Sequence, residues 1–508
     1  MRPATLLRLA LAGTRTDTAR VVLTGLSAAL ATLAVLAALT VLAIPEVPGD
    51  PWAQAEQYRN NLLREPGLRG GTAFALLLLT IPVLALAGQC ARLGAPARDR
   101  RLAALRLAGA TPGQVTRVAV SETGLAALLG TLAGLAVHLG GRQLLHRPDE
   151  RGLLALPTDV LPPVGALVAV VLGLPLVAAA ATALLLRRVT TTPFGVVRRT
   201  GQRRGPRPWP GLLIGLGLAA GVGALPLLRT GDGLGSGAAR WLVPTVVLGG
   251  GFAAVLGVVL GTGWISYVSG RLLHRLARRP AMLLAARRLM ADPWAGSRTF
   301  AALLAAVVFG AGAAAQRAYF ALSDRVQRQE HRLVGLDEGA NPFYLRTMNL
   351  VDLAVAVAVT IAAGGLLVAL VEGIVARRRA YAALVAGGVP RSVVGRSIAW
   401  QALVPAVPAI LVAMTVGLLL GRAWSGPVST GTVSGMVCDA GPELCADPAT
   451  RARYERLVEP VRRQLTPDVP LEQLALLGAG ALAAVLVTVG VGLLFLRSST
   501  AVEELRTT

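Results

Sequence analysis

Ten apolar runs of membrane-crossing length constrain this 508-residue chain more than any other feature. A spanning helix needs about 20 apolar residues, and such runs recur at 21–44, 71–91, 118–141, 160–186, 210–228, 241–268, 299–322, 350–376, 397–421 and 471–496. The fifth run is the weakest, because it contains Pro226 and many glycines. With 54% hydrophobic and 15% charged residues, a water-soluble fold could not bury this much apolar surface. The sequence therefore predicts an all-α polytopic membrane protein with ten transmembrane helices.

The absence of lysine excludes several kinds of chemistry, since all 50 basic residues are arginine. A P-loop needs a lysine that reaches the β- and γ-phosphates, and Schiff-base chemistry and kinase-type phosphate binding need one too. The four histidines and three cysteines are scattered and do not have the spacing of a zinc site. We therefore expect a chain that is not an enzyme and holds no cofactor of its own.

Arginine is distributed unevenly between alternate loops, which predicts how the chain crosses the membrane. The segments 1–20, 92–117, 187–209, 269–298, 377–396 and 497–508 hold 31 arginines and 5 acidic residues. The remaining loops hold 18 of each. Because cytoplasmic loops retain positive charge, both termini are predicted to be cytoplasmic in a multi-pass protein of the plasma membrane. Nucleic-acid binding is excluded, since the arginines are divided among short segments beside apolar helices.

The two halves of the chain resemble each other. Leu105–Val115 aligns with Leu384–Val394 at an offset of 279, and Leu11–Arg20 aligns with Leu289–Arg298 at an offset of 278. The six spans between equivalent helices predict two four-helix units with the same orientation, related by an axis along the membrane normal. The expected organisation is a first unit (1–200), a linking pair of helices (201–270) and a second unit (271–508).

Each unit contains a basic elbow between its second and third spans, at 93–115 and 377–396. In the first elbow an amphipathic helix is expected to stop at Gly109, and a new helix to start with Thr111 as its cap and Pro112 in its first turn. The second elbow repeats this pattern around Gly387, Gly388 and Pro390. Its arginines could simply anchor the loop at anionic headgroups. Two elbows on one face instead favour a dimeric cytosolic partner.

The first elbow, from Arg98 to Thr111, and its weaker copy, from Arg377 to Pro390, resemble the coupling helices of the FtsX-like permease family, the MacB-type membrane subunits of ABC transporters. The resemblance covers essentially the whole chain. It implies that two copies of a cytosolic ABC ATPase, which bind the ATP and Mg, dock on the two elbows. The docking residues that it implies are Arg98, Arg100, Arg101, Leu105, Arg106, Gly109, Arg377, Arg378, Arg379, Leu384 and Gly388.

The resemblance implies that ATP hydrolysis in the partner drives one of two kinds of work. One is export or extraction of a lipid, peptide or drug. The other is transmission of force to an extracytoplasmic protein. The alternative is an ion-coupled secondary transporter that acts without an ATPase. The few charges within the spans argue against that alternative, since a proton or sodium relay needs ionisable groups.

The charges inside the spans need individual explanations, since each is costly in a membrane. Asp352 is expected in the first turn of a helix that starts outside, and Arg317 is expected to extend to the external surface. Glu372 lies near the unfavourable C-terminal end of its span. We expect a bridge between Glu372 and Arg92, with Arg377 or water as the alternative partner.

The last external loop, 422–470, contains Cys438 and Cys445, which could close a small disulfide loop in an oxidising compartment. Two free thiols, or a metal pair with Asp439, are the alternatives. Two external amphipathic helices are also expected, to receive motion or substrate or to lie on the membrane surface. One begins at Asp50-Pro51 and includes Tyr58 and Leu62; the other begins at Asp447-Pro448 and includes Tyr454, Leu457, Val458, Val461 and Leu465.

Overall fold

A computed structural model describes residues 15–45, 53–78, 80, 83, 107–190, 205–223, 239–333, 343–431, 434–441, 445–446, 448–458 and 461–499. Helices dominate this part of the chain. The first helices are α1 (Arg15–Leu42), α2 (Asn61–Arg64), α3 (Pro66–Leu78), α4 (Pro112–Leu145), α5 (Val164–Thr190), α6 (Trp209–Gly223) and α7 (Ala239–Leu276).

The second half contains further helices and four short strands. They are α8 (Pro280–Ala291), α9 (Pro293–Leu333), α10 (Phe343–Ala376), α11 (Arg378–Ala386), α12 (Arg391–Ser425), β1 (Val428–Ser429), β2 (Gly435–Cys438), α13 (Pro448–Tyr454), β3 (Glu455–Val458), β4 (Gln464–Leu465) and α14 (Leu471–Ser499).

Eight helices within the described residues are long and apolar enough to cross a membrane: α1, α4, α5, α7, α9, α10, α12 and α14. This confirms the predicted all-α polytopic fold. The predicted second span, 71–91, lies largely outside the described residues, and the predicted fifth span corresponds to α6, which is apolar but shorter than these eight helices. The count of ten spans therefore stays a prediction.

Helices α1 and α4 run parallel and approach closely because small residues face each other. Gly130 and Gly134 of α4 lie against Gly25 and Ala29 of α1. A Cβ atom built at Gly134 would lie 2.7 Å from the carbonyl oxygen of Ala29. In a membrane, small residues four positions apart allow two backbones to touch, and this packing drives helix association. Helices α1, α4 and α5 thus form one packed group.

Helices α9 and α12 in the second half of the chain also run parallel and use small residues. Gly417 and Gly421 of α12 face Val308 and Gly312 of α9, and a Cβ atom at Gly421 would lie 2.7 Å from the carbonyl oxygen of Gly312. The first residues of α1 and α9 are offset by 278 in the sequence, and those of α4 and α12 by 279. These are the offsets at which the two halves of the sequence align.

The largest buried cluster surrounds α9. Leu303, Leu304 and Val307 of this helix are fully buried and belong to one cluster with Val258 of α7 and Val485 of α14. Lipid tails are as apolar as these side chains, so close packing holds such a core together in a membrane. Helix α9 is therefore the central helix of the second half.

The chain that follows α12 forms two nested antiparallel ribbons, in which β1 pairs with β4 and β2 pairs with β3. Helix α9 reaches these ribbons because it continues to Leu333. Near its end, the buried carboxylate of Glu330 accepts a hydrogen bond from the backbone N–H of Gly431. The central helix is thus fastened directly to the chain just after β1.

The helix predicted after Asp447-Pro448 is wrong beyond its first turns. Helix α13 ends at Tyr454, and the chain continues as β3, in which Leu457 lies opposite Met436 of β2. Leu465 belongs to β4. Ladder hydrogen bonds to a partner strand satisfy this backbone outside the helix, and a stripe of apolar residues does not reveal that partner.

The prediction of an external helix around Tyr58 is also wrong over residues 53–65, where the structure has only the short helix α2. Tyr58 is 1% exposed, forms a β-bridge with Leu154 in the loop after α4, and donates a hydrogen bond to Asp159 at 2.7 Å. Burial, together with this hydrogen bond, raises the pKa of Tyr58. The tyrosine therefore joins two loops and does not face a membrane surface.

Arg69 in α3 joins neighbouring loop segments through hydrogen bonds to their backbone. Its side chain is 6% exposed and donates only to backbone carbonyls: Nε to Leu63 at 2.8 Å, Nη1 to Ile44 and Pro45 at 3.4 Å each, and Nη2 to Arg64 at 3.3 Å. A buried guanidinium can satisfy several carbonyls at once because it presents five N–H donors. One side chain thus holds the end of α1 and the turn around α2 together.

Candidate functional site

The described part of the first elbow begins at Leu107, so Arg98, Arg100, Arg101, Leu105 and Arg106 lie outside the described residues. Gly109 has a φ of +90°, a conformation that favours glycine. Thr111 caps α4 in a reciprocal arrangement: its Oγ1 accepts from the N–H of Gln114 at 3.3 Å, and its own N–H donates to Gln114 Oε1 at 3.0 Å. Pro112 occupies the first turn. The stop, cap and first turn thus have the geometry expected from the sequence.

The second elbow is described more completely. Helix α11 ends at a Schellman motif, in which the N–H of Val389 donates to the carbonyl of Leu384 and the N–H of Gly388 donates to that of Val385, both at 3.0 Å. Gly388 has a φ of +88°. Helix α12 starts three residues later. The two elbows therefore turn through glycines that stand at equivalent positions of the aligned halves.

The predicted docking residues of the second elbow differ in accessibility. Gly388 is exposed and Leu384 is 37% exposed, so both can meet a partner. Arg377 is half-buried and lines a cavity that is partly open to its surroundings. The side chains of Arg378 and Arg379 lie outside what the structure describes.

Tyr381 anchors the second elbow to the rest of the bundle. It is buried in a cluster with Ile374, Val394 and Ile398, so it joins α10, α11 and α12. Arg288 of α8 donates from Nη1 to the Tyr381 hydroxyl at 2.9 Å, and its guanidinium carbon lies 5.2 Å from the centre of the tyrosine ring. This combined hydrogen bond and cation–π contact fixes the elbow against α8.

Sequence reasoning did not identify Arg288, although a signal was present. Pro280 precedes a short stretch in which small and apolar residues recur at helical spacing, and Ala281, Ala285 and Leu289 form its buried face. Such a pattern predicts an amphipathic helix beside the next span. The contact with Tyr381, which lies far along the chain, has no local signature.

Two of the charged residues expected inside the spans, Asp352 and Arg317, differ in position or partner from what the sequence predicts. Helix α10 starts at Phe343, so Asp352 is not in its first turn. Its carboxylate instead accepts from Arg317 at 2.6 Å, and the same Arg317 nitrogen donates to Asn349 at 2.9 Å. Arg317 therefore pairs with α10. Since Arg92 lies outside the described residues, its bridge to Glu372 stays a prediction.

The external cysteines lie close together. Cys438, at the end of β2, is joined to Cys445 by a disulfide bond, with the two Cα atoms 6.0 Å apart. The bond lies within the connection between β2 and β3, the two strands of the inner ribbon. Two free thiols and a metal pair with Asp439, the alternatives left open by the sequence, do not describe this arrangement.

The long apolar helices and the elbows between them define a multi-pass α-helical membrane protein. A family model described as FtsX-like permease C-terminal matches the chain over residues 71–194 and 353–441. These two matched segments are consistent with an FtsX-like ABC permease family. No curated protein and no solved structure matches it.

Members of this family are non-catalytic transmembrane subunits of ABC transporters and generally work with a cytosolic ABC ATPase. The match to this family supports an ABC transporter permease subunit. Both elbows fall within the matched segments.

Proposed function

We propose that this protein is a MacB-type permease that couples ATP hydrolysis in a separate cytosolic ATPase to work in the membrane, through the elbows 93–115 and 377–396. Two ATPase subunits would bind one permease chain, with ATP and Mg held entirely by the partner. The work is export or extraction of a lipid, peptide or drug-like substrate, or transmission of force to an extracytoplasmic protein.

The observation that carries this proposal is the equivalent geometry of the turn at the end of each elbow, which the structure describes in both. Gly109 and Gly388 have φ values of +90° and +88°, and each leads directly into a helix long enough to cross a membrane. A short helix joined in this way to a membrane-length helix passes a displacement at the elbow on to the bundle. Equivalent elbows in two units also match a partner that contains two equivalent subunits.

The arginine distribution supports the sidedness that this mechanism needs. The elbow segments belong to the loops that hold 31 arginines and 5 acidic residues, which the positive-inside rule assigns to the cytoplasm. With an even number of spans, both termini would lie on that side. The disulfide between Cys438 and Cys445 supports an oxidising environment for the opposite face.

Co-purification of tagged permease with its ATPase tests the proposal. We expect an ABC ATPase to purify with the wild-type chain and to hydrolyse ATP in the complex. Reversing the charges of Arg100, Arg101, Arg378 and Arg379 to glutamate should abolish both. Reversing Arg451 and Arg453 of α13, on the face assigned to the outside, serves as the matched control and should abolish neither.

Two results would contradict the proposal. One is transport that continues without any ATPase and depends on an ion gradient, as the secondary-transporter alternative requires. The other is an elbow variant that keeps the ATPase bound and active. Every elbow variant should first be shown to reach the membrane, so that a folding defect is not mistaken for loss of docking.

A further inference from the structure

A cavity of about 100 Å³ lies behind the second elbow and is partly open to its surroundings. Helices α8, α9, α10 and α12 contribute to its walls, together with the start of α11. Its polar lining consists of Arg288 from α8, Asp292 directly after α8, Arg377 and Tyr381 from the elbow, and Gln401 from α12. Arg377 is also a predicted docking residue, but the coupling mechanism proposed above gives no role to the other polar groups, so their convergence calls for a separate explanation.

The charges around the cavity favour an anion. Arg288 and Arg377 contribute two guanidinium groups, whereas Asp292 contributes one carboxylate. Burial lowers the pKa of Arg288, and repulsion from Arg377 acts in the same direction, whereas Tyr381 and Asp292 act in the opposite one. An anion placed between the two arginines would relieve this repulsion and would replace the water that the guanidinium groups lose on burial.

The backbone adds to this preference. Arg377 is the N-cap residue of α11, and it makes no side-chain capping hydrogen bond to that helix. The first N–H groups of a helix have no partner within the helix and carry partial positive charge. They therefore reinforce the positive character of the cavity at the point where Arg377 enters it.

The remaining wall of the cavity is apolar. Phe300 of α9 and Leu366, Leu370 and Ile374 of α10 line it, and the last three belong to the final turns of a membrane-length helix. Headgroups lie at this depth, where the apolar part of a spanning helix ends. A cavity that is cationic on one side and apolar on the other suits the headgroup end of an amphipathic anion.

We propose that this cavity binds a phosphate group between Arg288 and Arg377, carried either by the headgroup of an anionic phospholipid or by a free phosphate ion. The bound phosphate bridges α8 to the start of the elbow helix α11. It thereby holds the second elbow in the position seen in this structure. This proposal does not depend on docking of an ATPase, because it concerns the permease chain alone.

The test uses the full-length protein in phosphatidylcholine nanodiscs and measures its thermal unfolding. One series contains increasing fractions of phosphatidylglycerol. A second contains phosphatidylcholine alone with added inorganic phosphate. We expect phosphatidylglycerol or phosphate to raise the unfolding midpoint of the wild-type protein. Arg288→Gln and Arg377→Gln should each increase the half-saturating amount about fivefold, since each cation near anionic headgroups contributes about 1 kcal/mol.

Arg287→Gln is the matched control, because Arg287 is the exposed neighbour of Arg288 on the same helix and is not part of the cavity lining. The Arg287→Gln protein should bind phosphatidylglycerol or phosphate as tightly as the wild type does. A response to phosphatidylglycerol alone identifies the headgroup as the source, and a response to inorganic phosphate identifies the free ion. The proposal is overturned if neither ligand raises the midpoint. It is also overturned if Arg287→Gln weakens binding as much as Arg377→Gln does.

Arg288→Gln also removes the hydrogen bond to Tyr381 and could therefore destabilise the protein by itself. Arg377→Gln does not remove that bond, so it keeps the test decisive. If folded Arg377→Gln protein, verified by size-exclusion chromatography, binds both ligands as tightly as the wild type, the phosphate site is refuted.

Discussion

Replacing Gly134 by alanine should separate α1 from α4, whereas the same substitution at Gly140 should not. A Cβ atom at position 134 would lie 2.7 Å from the carbonyl oxygen of Ala29 and 2.9 Å from the Cβ of Thr32. A Cβ at position 140 would meet nothing within 4 Å. The two glycines lie on one helix less than two turns apart, so they form a matched pair.

The expected magnitude follows from these distances. Ordinary contact begins at 3.4 Å, so the helices must move apart by about 0.7 Å to accept the extra methyl group. Overpacking of this kind costs about 1–3 kcal/mol. Alanine also has the higher helix propensity, by about 1 kcal/mol, but this gain is common to both variants and cancels in the comparison.

The measurement is the free energy of unfolding in mixed micelles titrated with sodium dodecyl sulfate and followed by tryptophan fluorescence. Gly134→Ala should be less stable than Gly140→Ala by about 1–3 kcal/mol. Equal midpoints for the two variants would show that α1 and α4 do not touch at this position. Packing of small residues would then not be what holds these two helices together.

Three further predictions concern the loops. Arg69→Gln should lower the free energy of unfolding by at least about 2 kcal/mol, because buried carbonyls lose a charged donor. Arg59 is exposed, so Arg59→Gln should change this free energy little. Chemical unfolding of the two variants measures the difference. Because the fold raises the pKa of Tyr58, unfolding releases its proton above pH about 10. The free energy of unfolding should therefore fall as the solution becomes more alkaline. Tyr58→Phe should reduce this dependence of the unfolding free energy on pH, as measured by unfolding curves recorded at several pH values. Cys438 and Cys445 should react with a membrane-impermeant maleimide only after reduction, which a mass shift of two labels would report. Labelling of either of these two cysteines without reductant would contradict the disulfide.

The elbow turns could be predicted from the sequence because their signals are local. In the first elbow a glycine with positive φ, a capping threonine and a proline specify a helix stop and restart within a few residues; in the second elbow Pro390 is itself the N-cap and makes no side-chain capping bond. Gly109 and Gly388 both have a positive φ. The long apolar runs were equally informative, because in a membrane only helices and closed barrels satisfy the backbone.

The contacts across the chain could not be predicted in this way. Arg288 meets Tyr381, and Arg317 meets Asp352, only because α8, α9 and α10 pack as they do. The β3 strand shows the same limit, since its apolar residues fit a helical spacing as well as a strand. Pairing with β2 makes this segment a strand and not a helix, and the sequence of a single segment carries no information about its partner.

The length of α9 has a mechanical consequence. Its 41 residues rise about 60 Å at 1.5 Å per residue, whereas the hydrocarbon layer is about 30 Å thick. A tilt of about 5° around the midpoint of such a rod swings each tip by about 2.6 Å. Because Glu330 fastens the far tip to the chain at Gly431, a small rotation among the packed helices becomes a sweep of the ribbons large enough to open or close a contact.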